Sequence, residues 1–207
     1  LAFRWPEVDG RHMHADEANQ ASRTGVLLER GSYQYDVAEH HGPVLYYATL
    51  PILWMAGAVR FADTEDWMYR IVPVLFGVGL VFLLFLTRDG LGNGATVLGA
   101  LFVAVSPAMV YYSRYYIQEM LLVFFSFGAI AAGWRYIRTG RISWALACGV
   151  SVGLMHATKE TCVLAYAAMG VALVLTYGWA RLRDGQPLSG LGPLRFWPVF
   201  IALMAAL

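Results

Sequence analysis

The sequence predicts an all-α fold, a polytopic bundle of transmembrane helices, and three observations predict it. The 207-residue chain is 58% hydrophobic and only 14% charged, where a soluble domain of this size carries about 25%. Its mean hydropathy is +0.53. Apolar runs recur at close to the length, about 17 to 25 residues, that a helix needs to cross a bilayer. The formal net charge of +1 says little; the distribution of charge says more, and no nucleic-acid partner is expected.

The elements follow in order. Leu1-Ala2-Phe3-Arg4-Trp5-Pro6 reads as the end of a membrane helix with an interfacial Trp. The chain closes inside another apolar run, 196–207, so it reads as a fragment cut at both ends. Residues 16–31 predict a short helix with Asp16 as N-cap, Glu17 in the first turn and Gly31 at C′. Ala18, Ala21, Gly25 and Leu28 would form its small-residue face. The segment 44–59 contains Pro51 and the aromatics Tyr46, Tyr47 and Trp54. It is short for a span and favours a helix lying in the interface. Spans are expected near 70–87, 95–112, 117–137, 142–158 and 162–180, with a sixth beginning at 196. Two parts result: 1–69, an end of a membrane helix plus an outer loop with juxtamembrane helices, and 70–207, the bundle.

Arginine placement orients the chain. The loops holding Arg88, then Arg135, Arg138 and Arg141, then Arg181, Arg183 and Arg195 carry seven basic residues against Asp89 and Asp184. The alternate loops carry Arg114 and Lys159 beside Glu119 and Glu160. The basic loops are therefore expected in the cytoplasm and the acidic N-terminal stretch outside. Cys148 and Cys162 fall at different depths, which argues for two free thiols used as small apolar filler. His156 reads as a packing histidine bonded to a neighbouring span.

Several polar groups stand out against this background. Asp16 and Glu17 either supply a general base or cap and complement their helix. His12, His14 and Asp16 alternate, so an extended strand would present them together to a divalent ion, with His40 or His41 as a further ligand. Lys159 is the only lysine; it either snorkels or holds a phosphate as a compact charge. Arg114 and Arg70 carry the same two readings. Glu119, at the start of a span, is either functional or paired with Arg114.

The order HMHADEANQASRTGVLLERGSYQYD, EHHGPVLYYATLP, YRIVPVLFG, SPAMVYYSRYYIQEMLLVFF and GLMHATKET resembles the C-type glycosyltransferase superfamily. Its members include the protein O-mannosyltransferases and the aminoarabinose transferases. The likeness is nearest to the branch of flippase-activity-associated membrane proteins and covers about residues 11–162. The resemblance implies a donor in the form of a polyprenyl-phosphate-linked sugar, an acceptor hydroxyl, and a site facing outward from the cell membrane. It implies Asp16 as the base, beside Glu17, with Glu119 as a second acidic position. It implies Arg70, Lys159 and His41, which stands where the family has a lysine, near the donor phosphate, with Arg114 as a further candidate. No cofactor is required on this reading, and a divalent metal is compatible with it. The rivals are a non-catalytic flippase accessory or transporter of lipid-linked sugars, and a metal-dependent hydrolase built on the histidines.

Overall fold

A computed structural model describes residues 4–5, 10–33, 35 and 41–183. Among them the regular elements are helical, with no strand and one isolated antiparallel bridge, His41 to Lys159. The helices are α1 (Ala15–Arg30), α2 (Val44–Met55), α3 (Asp66–Leu83), α4 (Arg88–Leu91), α5 (Asn93–Val105), α6 (Pro107–Ser113), α7 (Glu119–Thr139), α8 (Ile142–His156) and α9 (Cys162–Arg183). Two compact units divide the chain, Leu1–Cys162 and Val163–Leu207. In the second unit the described residues continue α9, with Val171, Leu173, Val174 and Leu175 exposed.

Three described helical runs are long and apolar enough to cross a membrane: Asp66–Leu91, Glu119–Thr139 and Cys162–Arg183. They fall on the spans expected near 70–87, 117–137 and 162–180. The run expected at 95–112 is a bent pair, α5 and α6, meeting at 58°. The run at 142–158 is the 15-residue helix α8, below the length that crosses unaided. The run from 196 lies outside the described residues. Helix α2 is 12 residues long with Pro51 inside it, too short to span, and exposes Tyr47, Trp54 and Met55.

Pro107 causes the break between α5 and α6. It has no N–H to give the Val103 carbonyl, and Ser106 (φ −55°, ψ 123°) leaves helical geometry. Arg4 repairs the gap: its Nη2 donates to the Val103 carbonyl at 2.9 Å and its Nη1 to the Ala104 carbonyl at 2.9 Å. Its Nε donates to Ser113 Oγ at 3.0 Å. Gly77 of α3 admits this group, since a Cβ there would overlap Ser113 Oγ. The guanidinium is thus a cap supplied from a hundred residues away, set at the negative end of the α5 dipole. Arg4→Ala would orphan both carbonyls at about 1–3 kcal/mol each. The expected result is a lower melting temperature in detergent, with the loss not recovered by Arg4→Met.

Around this break α1 packs on α2, α2 on α3, α3 on α6 and α7, and α7 on α8. Small residues let the long helices approach: Gly128, Ala129, Ala131 and Ala132 are buried on α7. On the α3–α7 contact Phe76 meets Phe124 and Phe125 edge-on, at 5.0 and 5.4 Å between ring centres. Cys148 and Cys162 are free thiols. His156 ends α8 and its Nδ1 lies 3.8 Å from Sγ of Cys162, the first residue of α9 and so of the neighbouring span, as expected, although the histidine is exposed rather than packed inside.

Candidate functional site

The N-cap of helix α1 lies two residues earlier than the sequence suggests. His14, not Asp16, is the N-cap: it is extended (φ −68°, ψ 159°), and its Nδ1 accepts from the Asp16 N–H at 3.4 Å. Glu17 then occupies N3 and closes a capping box by accepting from the His14 N–H at 3.1 Å. Asp16 sits in the first turn, where a carboxylate complements the dipole without being consumed as the cap. Gly31 ends the helix in the left-handed region (φ 69°), as expected, and donates to the Leu27 carbonyl. The buried face is also turned from the expected one. Glu17, Gln20, Ala21, Thr24, Gly25 and Leu27 are buried, while Ala18 is exposed. Ala21 and Gly25 of the expected small-residue face do point inward, and a polar stripe of Glu17, Gln20 and Thr24 lies beside them.

That stripe meets partners at every position. Glu17 and Arg70 are both fully buried. Glu17 Oε1 accepts from Arg70 Nε at 3.0 Å and from the Tyr116 N–H at 3.0 Å. Glu17 Oε2 accepts from Arg70 Nη2 at 3.2 Å, in addition to the His14 N–H, and Arg11 Nη1 lies 3.0 Å away. Arg70 Nη1 donates to the Arg11 carbonyl at 3.0 Å. Burial pushes the Glu17 carboxyl up, but the hydrogen bonds from Arg70, Tyr116 and His14 and the charge of Arg70 outweigh it, so its pKa lies below the usual carboxylate range. A carboxylate so held is a poor proton acceptor. Arg70 cannot reach a lipid phosphate without leaving it.

The segment Tyr115–Glu119, which leads from α6 into the first residue of α7, runs along the same face. Tyr116 Oη, fully buried, lies 2.8 Å from both Thr24 Oγ1 and Thr49 Oγ1. Gln118 Nε2 donates to Gln20 Oε1 at 2.9 Å, and Tyr46 Oη donates to the same oxygen at 2.5 Å. At one end Tyr115 Oη donates to Asp16 Oδ2 at 3.4 Å. Burial, then the Asp16 charge, push the Tyr115 hydroxyl up to about 12, so it stays a donor at neutral pH. At the other end Glu119 Oε1 accepts from Lys159 Nζ at 2.6 Å. Four residues extend at most about 14 Å, which bounds the backbone separation of the two ends.

Asp16 is the exposed member of the group, with its side chain 68% accessible. Oδ2 faces Tyr115 Oη and His14 Nδ1, the latter at 3.3 Å. Oδ1 has no partner among the described residues. His14 Nδ1 can accept from the Asp16 N–H when neutral or donate to Oδ2 when protonated, but not both.

The turn His41-Gly42-Pro43 docks on the α8–α9 junction. Beside the His41–Lys159 bridge, the Gly42 N–H donates to the Thr158 carbonyl at 3.2 Å and the Val44 N–H to the Ala157 carbonyl at 3.3 Å. His41 and Lys159 are thus directly opposed, which sets their side chains on one face. His41 Nδ1 lies 3.5 Å from Glu160 Oε2, an ion pair only when the ring is protonated. Glu119 pairs with Lys159 rather than with Arg114, and its Oε2 is buried with no partner among the described residues. Arg114 ends α6, is half-buried, and accepts from Arg11 Nη2 through its carbonyl. A Cβ at Gly42 would overlap the Ala157 carbonyl. Gly42→Ala is therefore expected to part this bridge and to shift Lys159, read as faster amide exchange at Gly42 and Lys159.

His12, His14 and Asp16 do not assemble as three ligands. The chain turns into helix at Ala15 and carries Asp16 off the extended run, and no group of three His, Cys, Asp or Glu suited to a metal occurs among the described residues. His40 lies outside them.

Sequence reasoning missed Arg11, Tyr115, Tyr116, Gln20 and Gln118. The run YYIQE carried the signal, since tyrosines and a glutamine entering a span must find partners. What the arrangement offers is one open carboxylate on a rigid support, with a lysine and a histidine at the far end of the same segment. A family model described as dolichyl-phosphate-mannose-protein mannosyltransferase matches residues 41–201. Helix α1 precedes the matched segment. The searches of curated proteins and of solved structures gave no match.

Proposed function

This chain belongs to the dolichyl-phosphate-mannose-protein mannosyltransferase family, and on that basis we propose that it moves a sugar from a polyprenyl-phosphate donor to an acceptor hydroxyl at the outer membrane face. The family makes it a membrane glycosyltransferase in general terms; the donor, the orientation and the residue roles belong to the proposal. The observation that carries it is the pairing of an exposed Asp16 with a saturated, buried Glu17. Adjacent carboxylates in unlike environments take unlike roles.

Asp16 takes the acceptor proton through Oδ1. The acceptor oxygen attacks the anomeric carbon from the face opposite the phosphate, and the bond from that carbon to the phosphate oxygen breaks with inversion. The phosphate leaves with the electron pair, and Lys159 with His41 meets its charge. Arg114 is the further cation for this role. Glu119 holds Lys159 until the phosphate replaces it. Glu17 and Arg70 are positioning residues: they fix the first turn of α1 so that Asp16 points outward.

The test is a reconstitution in vesicles with radiolabelled polyprenyl-phosphate sugar and a hydroxyl acceptor. Label moving onto the acceptor supports transfer. Label that crosses the bilayer while remaining on its lipid would replace this reading with translocation.

A further inference from the structure

We propose that the end of the bundle where α4, the end of α7 and the start of α8 meet is a binding site for an anionic phospholipid headgroup. Arg88, Arg135, Arg138 and Arg141 lie there against one acid among the described residues, Asp89. Asp89 organises the site: its Oδ1 accepts from Trp134 Nε1 at 2.9 Å, and its Oδ2 lies 3.2 Å from Arg135 Nη1 and 3.6 Å from Arg138 Nε. The Arg135 guanidinium stacks over Trp144 at 5.6 Å and that of Arg138 over Trp134 at 5.8 Å. A Cβ at Gly90 would meet the Trp134 ring, so the α4 turn closes tightly against it.

Stacking covers the flat faces of two guanidinium groups and leaves their N–H edges to present. Arg135 Nε is buried with no partner among the described residues. Arg88 and Arg141 are exposed. One carboxylate cannot neutralise four cations, so the site keeps an excess of positive charge. Beside it Leu91, Ile137, Ile142 and Leu146 are exposed apolar groups. Cations set over an apolar rim match a lipid whose headgroup is net negative and whose chains lie along the helices. A zwitterionic lipid has the same phosphodiester but no net charge to answer this excess.

The experiment is native mass spectrometry of the purified chain after exchange into nanodiscs of equal phosphatidylglycerol and phosphatidylcholine. Phosphatidylglycerol is expected to be retained preferentially, with retention falling about fivefold for each arginine removed in Arg141→Gln and Arg138→Gln/Arg141→Gln. Arg60→Gln, an exposed arginine outside this cluster, is expected to leave retention unchanged. Arg141 has no side-chain partner among the described residues, so its replacement tests the site without disturbing the fold. Equal retention of the two lipids, or undiminished phosphatidylglycerol in the double variant, would overturn the proposal. Displacement of the lipid by inorganic phosphate as readily as by phosphatidylglycerol would overturn the lipid assignment.

Discussion

Arg70→Ala is expected to destabilise the packing of α1 on α3 by about 3–5 kcal/mol, because it leaves the Glu17 carboxylate buried without its principal partner. Both side chains are fully buried, and the remaining donors, the Tyr116 and His14 amides and Arg11, do not supply a second bidentate charge. Glu17→Gln is expected to cost less, since the amide keeps one acceptor and the shape. The pair also predicts a pH dependence. The folded Glu17 pKa lies below its unfolded value, so its contribution is complete above the ordinary carboxylate range, about 4.3. It is lost as pH falls through the lower folded value. Denaturant unfolding across that window should show the acid loss in the wild type and not in Glu17→Gln. An Arg70→Ala protein within about 0.5 kcal/mol of wild type, as for an ordinary surface site, would show that the pair is not the support it is taken to be.

Asp16→Asn is expected to lower the transfer rate by about 10²–10⁴-fold, the contribution of a positioned general base. The amide keeps the size of the side chain and its place in the first turn but has no proton affinity to offer. Stability should move by no more than about 0.5 kcal/mol, since the side chain is exposed and is not the cap. The contrast with Arg70→Ala is the informative part. One change should remove chemistry and spare the fold, while the other should remove the fold and chemistry together.

The long apolar helices were legible because length and composition alone define them, as for Asp66–Leu91 and Glu119–Thr139. The start of α1 is not legible because Asp is a favoured N-cap and His is not, yet the capping box that Glu17 closes with His14 sets the cap two residues before Asp16. That shift leaves Asp16 in the first turn with its side chain exposed, free of the capping role. Glu17 and Arg70 were each visible as charged groups near a membrane surface. Their pairing across 53 residues of separation is not, since nothing in local spacing links them. Arg4 was hidden for the same reason: the carbonyls it serves are freed by Pro107, in a helix a hundred residues away. The polar stripe of α1 is not legible from residue type because Gln20 and Thr24 are buried through hydrogen bonds to Gln118, Tyr46 and Tyr116.

On the proposed function Asp16 is the reacting carboxylate and Glu17 its support. The most direct measurement is sugar transfer in proteoliposomes by wild type and Asp16→Asn, at matched amounts of protein shown to be folded by denaturant unfolding. Transfer lowered at least about 10²-fold with unfolding unchanged is the predicted result. Transfer by Asp16→Asn at the wild-type rate would contradict it.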